Sequence, residues 1–229
     1  MRVVNVSIGM NTRQRFGLAA GFVALAGILS LLAAPELPAL LVSNWGASGE
    51  PNGTLPKGIA LWLFPALTAA LLVVFAVIPR IDPLRENIAA FRPYYDWFVV
   101  VFAGYMLVLH AGIIAFNLGY EFDFTALVLV AAAGLFYYVG VLVAHAERNW
   151  FVGIRTPWTL SSEAVWRRTH TLGGRLFKLT AVLTVVGLFF GEYAIFFLVV
   201  PALFAAVVTV AYSYYLYERI EDGNTDVGV

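Results

Sequence analysis

The residues with chemical reach in this chain gather in one segment, Gly153–His170, which reads GIRTPWTLSSEAVWRRTH. Arg155 beside Trp158 is the kind of pair that holds a phosphate or carboxylate, through the planar guanidinium fork. Pro157 disfavours helix at Thr156, so the segment enters as an extended stretch or a turn. A helix is expected to start at Ser161, with Glu163 near its positive end and Gly173–Gly174 allowing it to stop or bend. On that helix Glu163, Trp166, Arg167 and His170 follow at i, i+3, i+4 and i+7 and share one face. Glu163 can then pair with Arg167, Trp166 can stack near His170, and Glu163 with His170 offers an acid–base pair. Asn149, Gly153, Thr156 and Thr159 supply further hydrogen-bonding groups and a turn.

Three readings of this segment stand beside one another. Its arginines set topology and touch anionic lipid. Alternatively, Arg155, Thr159 and His170 lock the fourth and fifth spans together by hydrogen bonds. In the third, it is the working face of the protein. No catalytic, metal-binding or cofactor-binding set is assigned. The three histidines, His110, His145 and His170, lie on separate segments without zinc-site spacing. No GxSxG elbow occurs. The absence of cysteine excludes disulfides, thiolate metal sites and cysteine nucleophiles.

Two other polar regions and one isolated group complete the inventory. Residues 80–96 begin with Asp82 as helix cap and Pro83 at the first helical position. Ile81, Leu84, Ile88 and Phe91 then recur at helical spacing, which predicts an interfacial amphipathic helix closed by Pro93. Asn87 lies on it, and Tyr94, Tyr95 and Trp97 follow as an aromatic belt. The stretch LPALLVSNWGASGEPNGTLPK, 37–57, is rich in Gly and Pro, with PNG as a turn signal. It reads as a solvated loop anchored by Trp45, or as a recognition surface using Asn44, Trp45, Gly49, Pro51 and Lys57. His110 falls deep in an apolar span, where an ionisable group marks function unless a Tyr or Ser of a neighbouring helix bonds it.

The elements that position these residues follow from composition. The 229-residue chain is 61% hydrophobic and only 12% charged, about half the share of a soluble domain. Net charge is zero, which gives nucleic acid no basic surface. Apolar runs at 15–34, 59–79, 97–117, 124–144, 174–191 and 194–217 each suit a bilayer core, which takes about 20 residues. The first, despite Arg13 and Arg15 ahead of it, ends without a small-x-small cleavage pattern and is expected to be retained. Every Lys and Arg except Lys57 falls on one side if the N-terminus is cytoplasmic. The expectation is an all-α integral membrane protein of six transmembrane helices with both termini cytoplasmic. Residues 1–79 form a hairpin with outer loop 35–58, 80–96 an inner interfacial helix, and 97–144 a second hairpin. An inner motif loop spans 145–178, a third hairpin 174–217, and an acidic cytoplasmic tail 218–229.

NWFVGIRTPWTLSSEAVWRRTHTLGG closely resembles the signature of the SdpI family of membrane immunity proteins. IDPLRENIAAFRPYY resembles that family's inner segment, with its Asp-Pro pair, Asn87 and a Tyr at 94 or 95. The outer loop looks like the motif of a small domain of unknown function that often precedes it. The inner motif is intact at Asn149, Gly153, Arg155, Thr156, Pro157, Thr159, Trp166 and His170. The outer motif departs, with Asn44 where a His is usual and Gly46 where an Asn is usual. The resemblance implies a multi-pass protein of a prokaryotic plasma membrane. It implies protection against a secreted amphipathic peptide toxin outside and capture of a small repressor inside. The alternative from the residues alone is a membrane enzyme or transporter for a lipid-linked or small anionic substrate. In it Arg155 would bind the anion, and Glu163 and His170 would exchange protons.

Overall fold

A computed structural model describes residues 10–46 and 49–225, so the ends of the chain, including 226–229 of the expected acidic tail, lie outside the described residues. Helix α1 (Thr12–Ala33) opens with a capping box, in which Asn11 and Gln14 exchange side-chain-to-backbone bonds. A two-stranded antiparallel hairpin follows, β1 (Leu40–Trp45) with β2 (Pro51–Pro56). Then come α2 (Lys57–Ile81), α3 (Arg85–Ala90), α4 (Arg92–Asn117) and α5 (Phe124–His145). After an irregular stretch, α6 (Pro157–Ser161) leads into α7 (Glu163–Gly187). A 3₁₀ segment, Leu188–Tyr193, turns the chain into α8 (Phe196–Thr225). Six helices are long and apolar enough to cross a membrane.

The helices pack as two sets of three. Helices α1, α2 and α4 contact one another, α7 packs on both α5 and α8, and α4 against α5 joins the sets. The hairpin, the α4–α5 turn and the 3₁₀ segment lie at one end of this bundle, the hairpin face. The stretch between α5 and α7 lies at the other, the motif face.

Several local expectations change. Residues 35–58 are not a plain loop. PNG, read as a turn, is the start of β2, and the hairpin turns between Gly46 and Glu50 instead. There Gly46 N–H donates to Glu50 O at 2.8 Å and Gly49 holds φ +85°. The register slips around Asn44, and that irregularity hides the strand alternation from the sequence. The interfacial helix shrinks to the six residues of α3, with Asp82 outside it as an Asx-type acceptor for Leu84 N–H. Pro93 does not end that helix but sits in the first turn of α4, where its missing N–H costs nothing.

The largest change concerns the fifth span. Helix α7 runs unbroken through Gly173 and Gly174, so its start is the second half of the polar motif. These glycines are contact residues, not terminators. A Cβ on Gly174 would come within 2.8 Å of both the Ala144 Cβ and the Gly140 carbonyl oxygen. One on Gly140 would meet Gly174 O at 2.7 Å. In lipid, where apolar side chains gain nothing by leaving the solvent, such close backbone approach is a main source of helix association. Thr180, Thr184, Thr209 and Ser213, also buried on α7 and α8, satisfy their hydroxyls on carbonyls one turn back.

Two measurements test this architecture. Gly174→Ala is expected to destabilise the bundle by about 1–3 kcal/mol, as overpacking does, whereas Gly17→Ala, inside α1 with nothing near its Cβ, raises thermal stability in detergent modestly, by about 0.5–1 kcal/mol, as removing glycine from a helix does. The cysteine-free chain also allows single introduced thiols to report topology. With a cytoplasmic motif face, Cys at Thr54 reacts with an impermeant maleimide in intact cells. Cys at Ser161 reacts only after permeabilisation.

Candidate functional site

The motif between α5 and α7 is an irregular backbone, so each of its N–H and C=O groups needs a partner. Asn149, fully buried, supplies four bonds. Its Oδ1 accepts from Phe151 N–H and Val152 N–H, and its Nδ2 donates to Glu147 O and Val152 O. That set uses the whole capacity of an amide side chain. Gly153 then takes φ +116°, a value for which only glycine is suited. A Cβ there would also lie 2.3 Å from His170 Nε2.

The turn at Gly153 aims the next N–H at His170. Ile154 N–H donates to His170 Nε2 at 3.0 Å, and His170 Nδ1 sits 2.9 Å from Trp166 O. Only neutral imidazole with its proton on Nδ1 makes both bonds. Trp166 stacks on that ring at 3.9 Å and 17°, as its position one turn earlier predicts, and donates its indole N–H to Ala146 O at 2.7 Å. Thr156 and Thr159 form a capping box that starts α6 at Pro157. Thr159 Oγ1 also reaches back to Ile154 O, and Thr156 Oγ1 lies 3.0 Å from Ser213 Oγ of α8.

The 80–96 segment closes over this motif. Asp82, almost fully buried, accepts from Trp150 N–H at 2.9 Å through Oδ2. Asn87 Nδ2 donates to Arg148 O at 2.7 Å. Tyr94 stacks on His145 at 3.8 Å. Tyr95 is buried with its hydroxyl on Phe75 O, so it belongs to the interior and not to a surface belt. Beneath the backbone of Phe151–Ile154 lies a cavity of about 320 Å³, walled by Phe75, Tyr95, Phe98, Leu142 and Phe177.

Some pairings differ from the local reading. Glu163 meets Arg148 (Oε2 to Nε, 3.5 Å) and not Arg167. Arg155 is exposed and donates to Trp150 O, while Trp158 turns to Tyr214. The expected anion fork is therefore not assembled. On the hairpin face, Trp45 stacks on Phe124 at 3.7 Å. Lys57 does not face outward as a recognition group. Its ammonium donates to Ala34 O and Leu37 O, closing the end of α1. Gly49 and Pro51 hold the hairpin turn and the first position of β2. His110 bonds through Nε2 to Ser30 Oγ at 2.8 Å, and Ser30 Oγ also reaches Leu61 O, so one contact ties α4, α1 and α2.

Sequence reasoning missed three participants. Arg148 donates to Leu160 O as well as meeting Glu163 and Asn87. Ser213 lies in an apolar run with no local mark. Asp96, wholly buried, accepts from Thr12 and from Arg92 Nε, the latter at 2.6 Å. A lone carboxylate at the edge of an apolar run was the available signal, since such a group needs partners.

Comparison with known proteins divides the chain along these lines. The profile of the SdpI/YfhL protein family matches residues 145–213, from the end of α5 through the motif and α7 into α8. A domain of unknown function, DUF1648, matches 21–69, which is α1, the hairpin and the start of α2. Immunity protein SdpI of Bacillus subtilis (strain 168) is 23% identical over 200 residues, covering 86% of this chain and 93% of its own. The chain is thus similar to SdpI across both the hairpin module and the motif. With six apolar helices it is a multi-pass protein of a bacterial plasma membrane. No solved structure matches it significantly. The motif that carries the family likeness is the one built on Asn149, Gly153, Thr159, Trp166 and His170 above.

Removing one of those groups strands its partner. Trp166→Phe keeps an aromatic ring but leaves Ala146 O buried and unpaired, at an expected cost of about 1–3 kcal/mol. Asn149→Ala strands four backbone groups and costs more. Amide exchange read by mass spectrometry should quicken at 151–154 in both, and first in the Asn149 variant.

Proposed function

We propose that this chain is a membrane immunity protein, protecting its cell from a secreted antimicrobial peptide. The observation that carries the proposal is the near end-to-end match with Immunity protein SdpI, which spans both the hairpin module and the motif. In this reading the hairpin face is outside and meets the peptide. The motif face is cytoplasmic and holds a small repressor when the peptide is present. The strong bias of Lys and Arg towards the motif face supports that orientation. The groups an anion-handling enzyme or transporter would need are engaged elsewhere: His170 by both ring nitrogens, Glu163 by Arg148 and Arg155 by a carbonyl. No observation favours that second reading.

Survival of a sensitive bacterial host tests the proposal. Cells expressing the wild-type chain and challenged with the sporulation-delaying peptide toxin should survive by orders of magnitude better than cells with an empty vector. Equal killing, with the protein inserted, defeats the immunity reading. His170→Ala should lower membrane abundance together with protection, because it strands Ile154 N–H. Arg155→Ala should leave abundance and survival intact while abolishing crosslinking of the motif face to a cytoplasmic partner. If that crosslinking is unchanged, or absent from the wild type, repressor capture is wrong.

A further inference from the structure

We propose that the hairpin face carries a two-part cleft that seats an apolar side chain of a cationic amphipathic peptide beside one of its basic side chains. This rests on the immunity reading and adds to it the place and chemistry of contact. The first part is a cavity of about 230 Å³ under the hairpin. Its walls include Trp45, Phe64, Leu109, Ile113, Phe124 and Val128. The second is a cavity of about 260 Å³ that shares Thr125, Leu129 and Ile195 with the first and adds Asp123 and Glu192. Each is smaller than the roughly 300–1,000 Å³ of sites that enclose a whole drug-sized ligand. Each suits one side chain presented by something larger.

Charge decides what that larger body is. Asp123 and Glu192 are both exposed at the rim. Glu50 and Glu121 add to the same face, and its one basic residue, Lys57, is spent on the carbonyls of Ala34 and Leu37. The acidic rim thus has no internal cation to balance it, and its field attracts a basic ligand and repels an anionic headgroup. The apolar part is set for recognition as well. Trp45 is held flat on Phe124 and edge-on to Phe116, a rigid aromatic wall, and its buried indole N–H has no hydrogen-bond partner among the described residues. An apolar side chain entering the cavity packs on that wall. The second part lies where the chain turns between helices, and the first runs from the hairpin into the bundle between α2, α4 and α5. A cationic amphipathic peptide has apolar and basic side chains as near neighbours, which is the pairing the cleft offers.

Binding to protein in phosphatidylcholine nanodiscs tests this. The probe is a fluorescein-labelled amphipathic helical peptide of Lys, Leu and Trp, read by anisotropy against empty discs, with its Glu-for-Lys counterpart as the charge control. The wild-type chain should bind the basic peptide above the empty-disc signal and not the acidic one. Asp123→Asn with Glu192→Gln keeps the cap on α5, since Asn also caps. It should weaken binding about five- to tenfold, as two partly exposed ion pairs imply, and should flatten its salt dependence. Ile195→Trp, which fills the wall shared by the two parts, should weaken it similarly. Glu86→Gln on the motif face should leave it unchanged. Binding no stronger than to empty discs, the result expected if a lipid chain fills the cavity, overturns the proposal, as does equal binding by all variants. The two readings fail separately. Wild type that does not protect cells defeats the immunity reading. Wild type that protects, with the rim variant protecting as well and binding the peptide as tightly, defeats only the cleft.

Discussion

An irregular stretch of backbone folded against the end of a membrane bundle has little water to fall back on, so its polar groups must be answered from within. That constraint governs the motif face. Between His145 and Pro157 the chain has neither helix nor strand to pair its amides. A small set of buried side chains does the work instead: Asn149 with four bonds, Asp82 with one across the seam, Trp166 with one, and His170 with two. Each is at or near full burial. Loss of any one exposes a partner that cannot be solvated, which is costlier than the bond itself is worth. The polarity of Gly153–His170 is therefore divided: Thr156, Thr159, Trp166 and His170 turn inward, and its charged residues turn outward. Its surface chemistry is left to the residues that point away, Arg155 among them.

The same constraint explains why the motif needs the rest of the protein. Asp82 and Asn87 come from the α2–α3 region, Ala146 and Arg148 from the stretch after α5, Trp166 and His170 from α7, and Ser213 from α8. The motif is thus the place where the two three-helix sets are sewn together by hydrogen bonds. Away from it they meet where α4 packs on α5, as at Gly112, whose added Cβ would lie 2.5 Å from Leu127 Cδ2. Hydrogen bonds tolerate small errors of distance poorly, and glycine contacts tolerate added volume poorly. The motif end is accordingly specified by polar geometry and the helix body by shape.

How far the sequence revealed this depends on the range of each interaction. The six spans were legible because lipid demands a long apolar run whatever the neighbours are. The stack of Trp166 on His170 was legible because a helix places residues four apart on one face. The partner of Glu163 was misread for the complementary reason. Arg167 is the local candidate, but Arg148 arrives from another segment. Gly173–Gly174 carried a local stop signal that packing against α5 overrode. The hairpin escaped notice because prolines at both ends of β2 and a slipped register around Asn44 erase the two-residue alternation. Lys57 reads as a surface cation because nothing in its neighbourhood announces that Ala34 and Leu37 present bare carbonyls to it.

The two cavities bear on how one face can sense the other. The cavity under the hairpin and the cavity under the motif are both walled by α2, α4 and α5. Phe64, Leu109 and Val128 contribute at one end, and Phe75, Phe98 and Leu142 at the other. They are the two ends of one seam between the helix sets. A ligand wedged into one end acts on the other only if the sets shift as bodies, because a close-packed interior does not deform continuously. Such a shift needs a contact that holds the sets in register yet has an alternative. Asp82 to Trp150, Asn87 to Arg148 and Tyr138 to Tyr94 O are bonds that would have to change, since they cross the seam at the motif end. His110 with Ser30 stays within the first set and would travel with it. A shift of one set against the other therefore strains Trp150, Arg148 and Tyr94, which hold the seam bonds at the motif end.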